Sequence, residues 1–345
     1  MKEQEWIKAM KDEIRALKEN ETWEITSLPK NKKAIGRPCQ ETINVIKNHL
    51  HNLFTIKDIG EARFFLGLEI CRSKEGILVS QTKYIHISDV GVEHGKAVNT
   101  PLLARFKPGS TDSEHLQNPE PYRRLLGRLL YLGFTRPDIC YNTQQLNQHM
   151  QYPSKSRWES ALHIVGYLKG TTNKGLLFNS EDSFDLQASC DAYWASCKDT
   201  RKSLTGYCVF LGNSLISWKT KKQSTVSRSS TEAEYRSMAT TTCELIWIFN
   251  LLQELQVHSP TPIKFCCDNE AALYITANPI FHERTKHVEI DCHIVRDKYK
   301  QGFILPLHIS SRLQTADILT KALPGPKFVF LNSKLGLVNL LTSTT

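Results

Sequence analysis

Four carboxylates lie at the ends of predicted elements and could act together on one substrate. Asp191 and Asp268 each end an apolar segment with the pattern of a strand. Glu234 and Asp317 each lie at the start of a predicted helix. In an order of three strands, a helix, a strand and a helix, the first and fourth strands are typically central neighbours, so Asp191 and Asp268 are expected side by side.

Clustered acids predict a metal site, because four carboxylates repel one another unless cations neutralise them. Hard Mg²⁺ or Mn²⁺ prefers carboxylate oxygen. Two such ions, about 4 Å apart, can activate a water and stabilise the leaving oxygen of a phosphodiester. The four acids therefore predict a two-metal phosphodiesterase site.

Each acid also has a structural interpretation. The pattern Thr231-x-x-Glu234 fits a capping box, in which Glu234 only ties down the start of its helix. Asp317 could interact with a helix dipole, and Asp191 could be a turn residue. Asp268 is the hardest to explain in this way, because an unpaired acid at the end of an apolar strand is costly without a partner or a function.

The segment 198–228 is strongly basic. It has a local charge of +6, whereas the whole 345-residue chain has a net charge of +9. Charge localised in this way favours a polyanionic partner, with nucleic acid as the first candidate. The residues predicted to contact it are Lys198, Arg201, Lys202, Lys219, Lys221, Lys222 and Arg228.

The pattern of elements predicts an α/β fold. Strands are predicted at 184–192, 205–212, 214–223, 263–269 and 303–310. The helix after the third of them has core-facing residues at spacings of three and four: Tyr235, Met238, Thr242, Leu245, Phe249 and Leu252. Upstream, 121–170 is predicted as three helices, and a hairpin turns at 73–76. The last twenty residues are predicted to be an extended tail.

The compartment is expected to be intracellular, either cytoplasmic or nuclear. The ten cysteines have irregular spacing without a CxxC pair, which favours a reducing environment. The N-terminus has the pattern of a charged helix rather than a signal peptide, and no apolar run is long enough to cross a bilayer. No association with a membrane is therefore expected.

Three segments closely resemble the ribonuclease H domain of copia-type retrotransposon Pol polyproteins, over about residues 185–325. They are CDAYWASCKDTRKSLTGYCVFLGNSLISWKTKKQSTVSRSSTEAEY, CCDNEAALYITANPIFHERTKHVEIDCH and TADILTKAL. The resemblance implies an RNase H-like mixed five-stranded sheet flanked by helices. It also implies Mg²⁺-dependent (or Mn²⁺-dependent) cleavage of the RNA strand of an RNA–DNA hybrid. The metal-binding and catalytic residues it implies are Asp191, Glu234, Asp268 and Asp317.

Within TEAEY, Glu234 is the acid that matches the family, and Glu232 is expected to be its exposed neighbour. Local departures from the family are Tyr193 where an acid is usual, Ser196 where Gly is usual, and Arg228 where a small or apolar residue is usual.

The front of the chain resembles the two ends of the same polyprotein's reverse transcriptase. EWIKAMKDEIRALKENETWEITSLPKNKKAIGRP resembles its beginning, and FTIKDIGEARFFLGLEI, GILVSQTKY, YRRLLGRLLYL, TRPDI and YLKGT resemble its last part and connection. The fingers and most of the palm, with the Tyr-Val-Asp-Asp type motif, are missing between Pro38 and Cys39. Polymerase activity is therefore predicted to be lost.

The predicted domains are an N-terminal reverse-transcriptase remnant at 1–38, a thumb and connection remnant at 39–180, the ribonuclease H domain at 181–325 and a tail at 326–345. The leading interpretation is a hybrid-specific endoribonuclease with two metal ions. The alternative is a catalytically inactive remnant that binds nucleic acid. Expected partners are an RNA–DNA hybrid and other products of the polyprotein.

Overall fold

The computed structural model describes residues 40–54, 60–85, 96–102, 114–278 and 289–339, with the side chains of the first range described from residue 43. The predicted N-terminal remnant and the Pro38–Cys39 junction lie outside these ranges. The chain divides into two units. One contains the helix Gln40–Leu53 together with Glu254–Gln256, and the other contains all the strands of the described residues.

The strands of the described residues, in chain order, are β1 (Phe64–Phe65), β2 (Leu68–Arg72), β3 (Gly76–Ser80), β4 (Lys174–Asn179), β5 (Leu186–Tyr193), β6 (Leu204–Leu211), β7 (Ser214–Lys222), β8 (Ile263–Cys267), β9 (Ile304–His308) and β10 (Leu337–Asn339). The α-helices are α1 (Gln40–Leu53), α2 (Thr82–Ile85), α3 (Glu120–Leu132), α4 (Cys140–Asn147), α5 (Lys155–Gly170), α6 (Ser230–Glu254), α7 (Glu270–Ala277), α8 (Glu289–Lys300) and α9 (Gly325–Asn332). Short 3₁₀ helices span Pro137–Ile139 and Thr315–Leu319.

A mixed sheet of five described strands has the order β7-β6-β5-β8-β9. β5, β6 and β7 pair antiparallel, whereas β8 runs parallel to both β5 and β9. β8 alternates buried and less buried residues, and β5 is buried along almost its whole length, as expected for the central strand. This is the α/β fold that the element pattern predicted, with the RNase H-like sheet that the family resemblance implied.

Helix α6 covers this sheet with the face that the periodicity predicted. Tyr235, Met238 and Leu245 are buried in one apolar cluster with residues of β5, β6 and β8, and Phe249 and Leu252 pack against its edge. Burial of an apolar helix stripe against a sheet is the main favourable term in such a layer.

A second sheet is antiparallel throughout, with the order β1-β2-β3-β4-β10. The helices α3, α4 and α5 lie between β3 and β4 in the chain, within the residues predicted for the three-helix unit. One apolar core includes Leu126 from α3, Tyr167 from α5, and Ile139 and Leu319 from the two 3₁₀ helices. The α+β remnant and the RNase H-like part therefore share buried contacts.

The extended tail predicted for the last twenty residues was wrong where the structure describes them. Residues Gly325–Asn332 form α9, and β10 pairs with β4. Phe328, Leu331 and Leu335 are buried in the shared core, so apolar burial organises this segment.

The described helices include none with the length and apolar character needed to cross a bilayer. No disulfide joins any two cysteines in the described ranges, and burial raises the pKa of Cys208 to about 12.

Candidate active site

The register of two parallel strands brings the first two acids together. β5 and β8 pair with Gln187 opposite Lys264 and Ser189 opposite Cys266. Continued by two residues, this register aligns Asp191 with Asp268, which directly follows β8. Both carboxylates therefore lie at the same edge of the sheet, as predicted.

All four predicted acids meet at this edge. Carboxylate oxygens of Asp191, Asp268 and Asp317 lie within 4.8 Å of one another. Glu234 joins them from α6, since its carboxylate, that of Asp268 and Cys267 Sγ also form a group within 4.8 Å. Four separate elements thus supply one carboxylate cluster.

Gly206 on β6 makes room for the 3₁₀ helix that carries Asp317. A Cβ at Gly206 would lie 2.5 Å from Thr320 Cγ2 and 3.0 Å from Leu319 Cβ. Gly206 is also the register partner of Asp191. The missing side chain therefore lets the segment after β9 lie directly against the central strands and bring Asp317 to Asp191.

The carboxylate of Asp191 is fully buried. The Thr320 hydroxyl donates to its Oδ2, and Lys321 Nζ lies 3.0 Å from its Oδ1. Burial raises the pKa of Asp191, with Asp317 adding to the rise, although Lys321 opposes it. This carboxylate is costly to ionise without nearby positive charge.

Glu234 is also buried and is fixed by the backbone of β5. Its Oε1 accepts a hydrogen bond from the Ala192 amide at 3.1 Å, and its Oε2 lies 4.0 Å from Cys267 Sγ. Burial, with Asp191 beside it, raises the pKa of Glu234 to about 10. A cation facing this group would favour its ionised form.

The start of α6 is capped by Ser229 and Glu232 rather than by Thr231 and Glu234. Ser229 Oγ accepts from the Glu232 amide at 3.1 Å, and Glu232 Oε2 accepts from the Arg228 amide at 2.8 Å. The capping box on Thr231 and Glu234 was therefore misplaced, because α6 begins at Ser230. The exposed position predicted for Glu232 was also wrong: its side chain is 5% exposed and pairs with Arg236 at 2.9 Å.

Replacing Glu232 with Ala is expected to lower the free energy of unfolding by about 1–2 kcal/mol, because a helix cap and a partly buried ion pair are lost. Urea denaturation of the variant and the wild type measures the change. Ser229→Ala, which removes the other half of the cap, is the matched control and is expected to cost about 1 kcal/mol. Equal stability of Glu232→Ala and the wild type would contradict the capping role.

The remaining two acids have polar partners that the sequence reasoning missed. Asp268 Oδ2 accepts from Ser311 Oγ at 2.7 Å. Asp317 accepts from Lys321 Nζ at 2.6 Å and from Lys327 Nζ at 2.5 Å. The four-residue spacing of Asp317 and Lys321 is the sequence signal that could have predicted one of these pairs.

The predicted basic residues lie on β7, on the loop between β5 and β6, and on the loop between β7 and α6. Lys219 and Lys221 are exposed on β7, whereas Lys222 is half-buried and donates to Gln148 Oε1 at 3.1 Å. Lys198, Arg201 and Arg228 are exposed and Lys202 is half-buried. Contact of these residues with nucleic acid stays a prediction.

The donor set fits hard divalent cations. All the cluster's carboxylates offer oxygen, the ligand that Mg²⁺ and Mn²⁺ prefer. Hydrogen bonds orient three of the carboxylates, as expected around a metal site. The donors are the Thr320 hydroxyl to Asp191, the Ala192 amide to Glu234 and the Ser311 hydroxyl to Asp268. The cluster could therefore hold a divalent metal ion.

Comparison with known proteins gives the family. The chain is 40% identical over 301 residues to the retrovirus-related Pol polyprotein from transposon RE1 of Arabidopsis thaliana, which covers 86% of this chain and 20% of that polyprotein. It is 39% identical over 207 residues to the uncharacterized mitochondrial protein AtMg00810 of the same plant, covering 59% of this chain and 86% of that protein. The chain thus spans about a fifth of the length of the polyprotein that it matches.

No protein-family model matches the chain. A solved structure of LC11-RNase H1 is similar with a TM-score of 0.31 and 12% identity, over 40% of this chain and 93% of that one. This TM-score is too low to support an argument, so the fold assignment depends on strand order and direction. By its sequence relatives, the chain belongs to the family of retrovirus-related Pol polyproteins of copia-type transposons.

Proposed function

We propose that this chain is an endoribonuclease that cleaves the RNA strand of RNA–DNA hybrids by metal-dependent phosphodiester hydrolysis. The observation that carries the proposal is the convergence of the four predicted acids, from four elements, at one sheet edge. The resemblance of residues 185–325 to the ribonuclease H domain of copia-type Pol polyproteins supports the same substrate class.

Asp191, Glu234, Asp268 and Asp317 would hold two Mg²⁺ or Mn²⁺ ions. When bound, such ions supply an activated water and stabilise the leaving oxygen of a phosphodiester. The protein contributes orientation: the Ala192 amide fixes Glu234, and the Ser311 hydroxyl fixes Asp268. Because these bonds exist in the folded chain, little reorganisation is needed at the acids.

Cleavage of a labelled hybrid tests the proposal. With Mg²⁺, the RNA strand of the hybrid is expected to be cut, whereas the same RNA as a single strand or in an RNA duplex is not. Excess chelator is expected to abolish cutting. Binding of the hybrid without cutting would overturn the proposal in favour of an inactive nucleic-acid-binding remnant.

The exposed lysines of β7 are the predicted contacts for the hybrid backbone. Replacing both Lys219 and Lys221 with Ala is expected to weaken hybrid binding. The slope of log K for binding against log salt concentration is expected to fall in magnitude by about 1–2, because binding with fewer phosphate contacts releases fewer counterions from the hybrid. Fluorescence anisotropy at several salt concentrations measures this slope.

The matched control for this pair is Lys300→Ala, which removes an exposed lysine in the last turn of α8. It is expected to leave the slope close to the wild-type value. A double variant with an unchanged slope would show that this part of β7 does not contact the hybrid.

The other sequence predictions are part of this proposal. Polymerase activity is expected to be absent, because the chain has no counterpart of the family's fingers and most of its palm between Pro38 and Cys39. Other products of the polyprotein are expected partners, in an intracellular compartment.

A further inference from the structure

Two lysines reach into the carboxylate cluster. Lys321 Nζ bridges two acids, at 3.0 Å from Asp191 Oδ1 and 2.6 Å from Asp317 Oδ1. Lys327 Nζ lies 2.5 Å from Asp317 Oδ2 and 3.1 Å from the Ser311 carbonyl oxygen. Lys321 thus links two of the acids proposed to bind metal, whereas Lys327 reaches one.

The ammonium group of Lys321 lies where it can offset the repulsion between two buried carboxylates. The side chains of Asp191 and Asp317 are 0% and 1% exposed. Two buried carboxylates side by side repel each other, and each is costly to desolvate without a compensating charge. One ammonium group shared by both oxygens reduces both costs.

Lys321 also contacts two of the three carboxylates that a divalent ion would need. Oxygens of Asp191 and Asp317 belong to the group of three carboxylates that lie within 4.8 Å of one another. An ammonium group and a metal ion cannot both occupy the space between these oxygens. The Lys321 side chain is 31% exposed and ends a flexible four-carbon stem, so it has a way to solvent.

We propose that Lys321 is a built-in cation that holds Asp191 and Asp317 together in the metal-free protein and is displaced when a divalent ion binds. This inference rests on the proposed metal site. It makes Lys321 a positioning residue: it keeps the acids in place until the metal arrives, and it lowers the affinity for the metal by competing for the same oxygens. Lys327 keeps its contact with Oδ2 of Asp317, the oxygen that Lys321 does not contact.

Mn²⁺ titration of the full chain, followed by electron paramagnetic resonance, tests the competition. Lys321→Met is expected to bind Mn²⁺ at least about tenfold more tightly than the wild type, because the competing charge is gone. In excess chelator, the unfolding temperature of Lys321→Met is expected to be lower than that of the wild type. On adding Mg²⁺, the unfolding temperature is expected to rise more for the variant than for the wild type.

Three controls separate this role from a general effect of charge or folding. Lys300→Met removes a distant exposed charge and is expected to move neither quantity. Lys327→Met, which frees one oxygen of one acid, is expected to raise the affinity for Mn²⁺ less than Lys321→Met does. Lys321→Arg, which keeps the charge, is expected to restore most of the stability in chelator. If Lys321→Met does not fold, Lys321→Gln, which also removes the charge, is titrated in its place.

The outcomes distinguish this inference from the proposed function. A wild-type protein that binds no Mn²⁺ would overturn both. A wild-type protein that binds Mn²⁺, with Lys321→Met binding it equally or more weakly, would overturn the displacement alone. An unchanged unfolding temperature of Lys321→Met in chelator would also overturn it, because the acids would not need the lysine.

Discussion

Asp191→Asn is expected to slow cleavage of an RNA–DNA hybrid by at least about a thousandfold, which corresponds to roughly 4 kcal/mol of lost transition-state stabilisation. Asn keeps the size of the side chain but supplies no anionic oxygen. Asp191 lies on the central strand β5, with oxygens of Asp268 and Asp317 around it, so its charge is central to the proposed metal site. Single-turnover rates with labelled hybrid in Mg²⁺ measure the loss.

The matched control is Asp185→Asn, which makes the same change at an exposed acid just before the same strand. Asp185 accepts a hydrogen bond from Ser183 Oγ at 3.0 Å and lies outside the carboxylate cluster. This variant is expected to cut at nearly the wild-type rate. If Asp191→Asn is folded by circular dichroism and retains more than about a tenth of the wild-type rate, the assigned role is wrong.

Arg136→Met is expected to lower the free energy of unfolding by about 3–5 kcal/mol, because it leaves a buried carboxylate without its partner. Arg136 Nε and Nη2 donate to Asp138 Oδ1 and Oδ2 at 3.0 and 2.8 Å, and both side chains are 0% exposed. Tyr167 also donates to Asp138 Oδ2, at 2.6 Å. Burial alone would raise the pKa of Asp138, but Arg136 holds it below its ordinary value.

Chemical denaturation measures this change, and Arg124→Met is its control. Arg124 pairs with Glu120 at 3.3 Å, but the two side chains are 57% and 73% exposed. Loss of such a surface pair is expected to change stability by less than about 1 kcal/mol. The double variant Arg136→Met with Asp138→Leu is expected to be more stable than Arg136→Met, since no buried charge is left unpaired. A cost below about 1 kcal/mol for Arg136→Met would contradict a structural role for this pair.

The sequence predicted the RNase H-like layer well because its signals are local. The spacing of Tyr235, Met238 and Leu245 predicted the face of α6 that the structure buries. The apolar strand that ends at Asp268 predicted β8 beside β5. The predictions failed where distant parts of the chain decide the outcome: the segment from Phe328 to Leu335 becomes ordered through a core assembled largely from upstream helices.

The sequence predicted the four acids of the candidate site but not the lysines that contact them. Element ends indicated where each carboxylate would lie, and strand order brought them together. Lys327 and Ser311 are absent from the prediction because their contacts with Asp317 and Asp268 depend on how the last helices and loops fold back. Glu232 was assigned to solvent because the sequence does not show that α6 begins two residues earlier than its Thr-x-x-Glu pattern indicates.

The most direct test of the central claim is the rate at which the chain cuts the RNA strand of a labelled hybrid in Mg²⁺, compared with its Asp268→Asn variant. Asp268 directly follows β8 and is held by Ser311, so the change removes one charge from the cluster at constant size. We expect the wild type to cut and the variant not to cut. A wild type that does not cut, or a variant that cuts equally well, would contradict a metal-dependent ribonuclease at this carboxylate cluster.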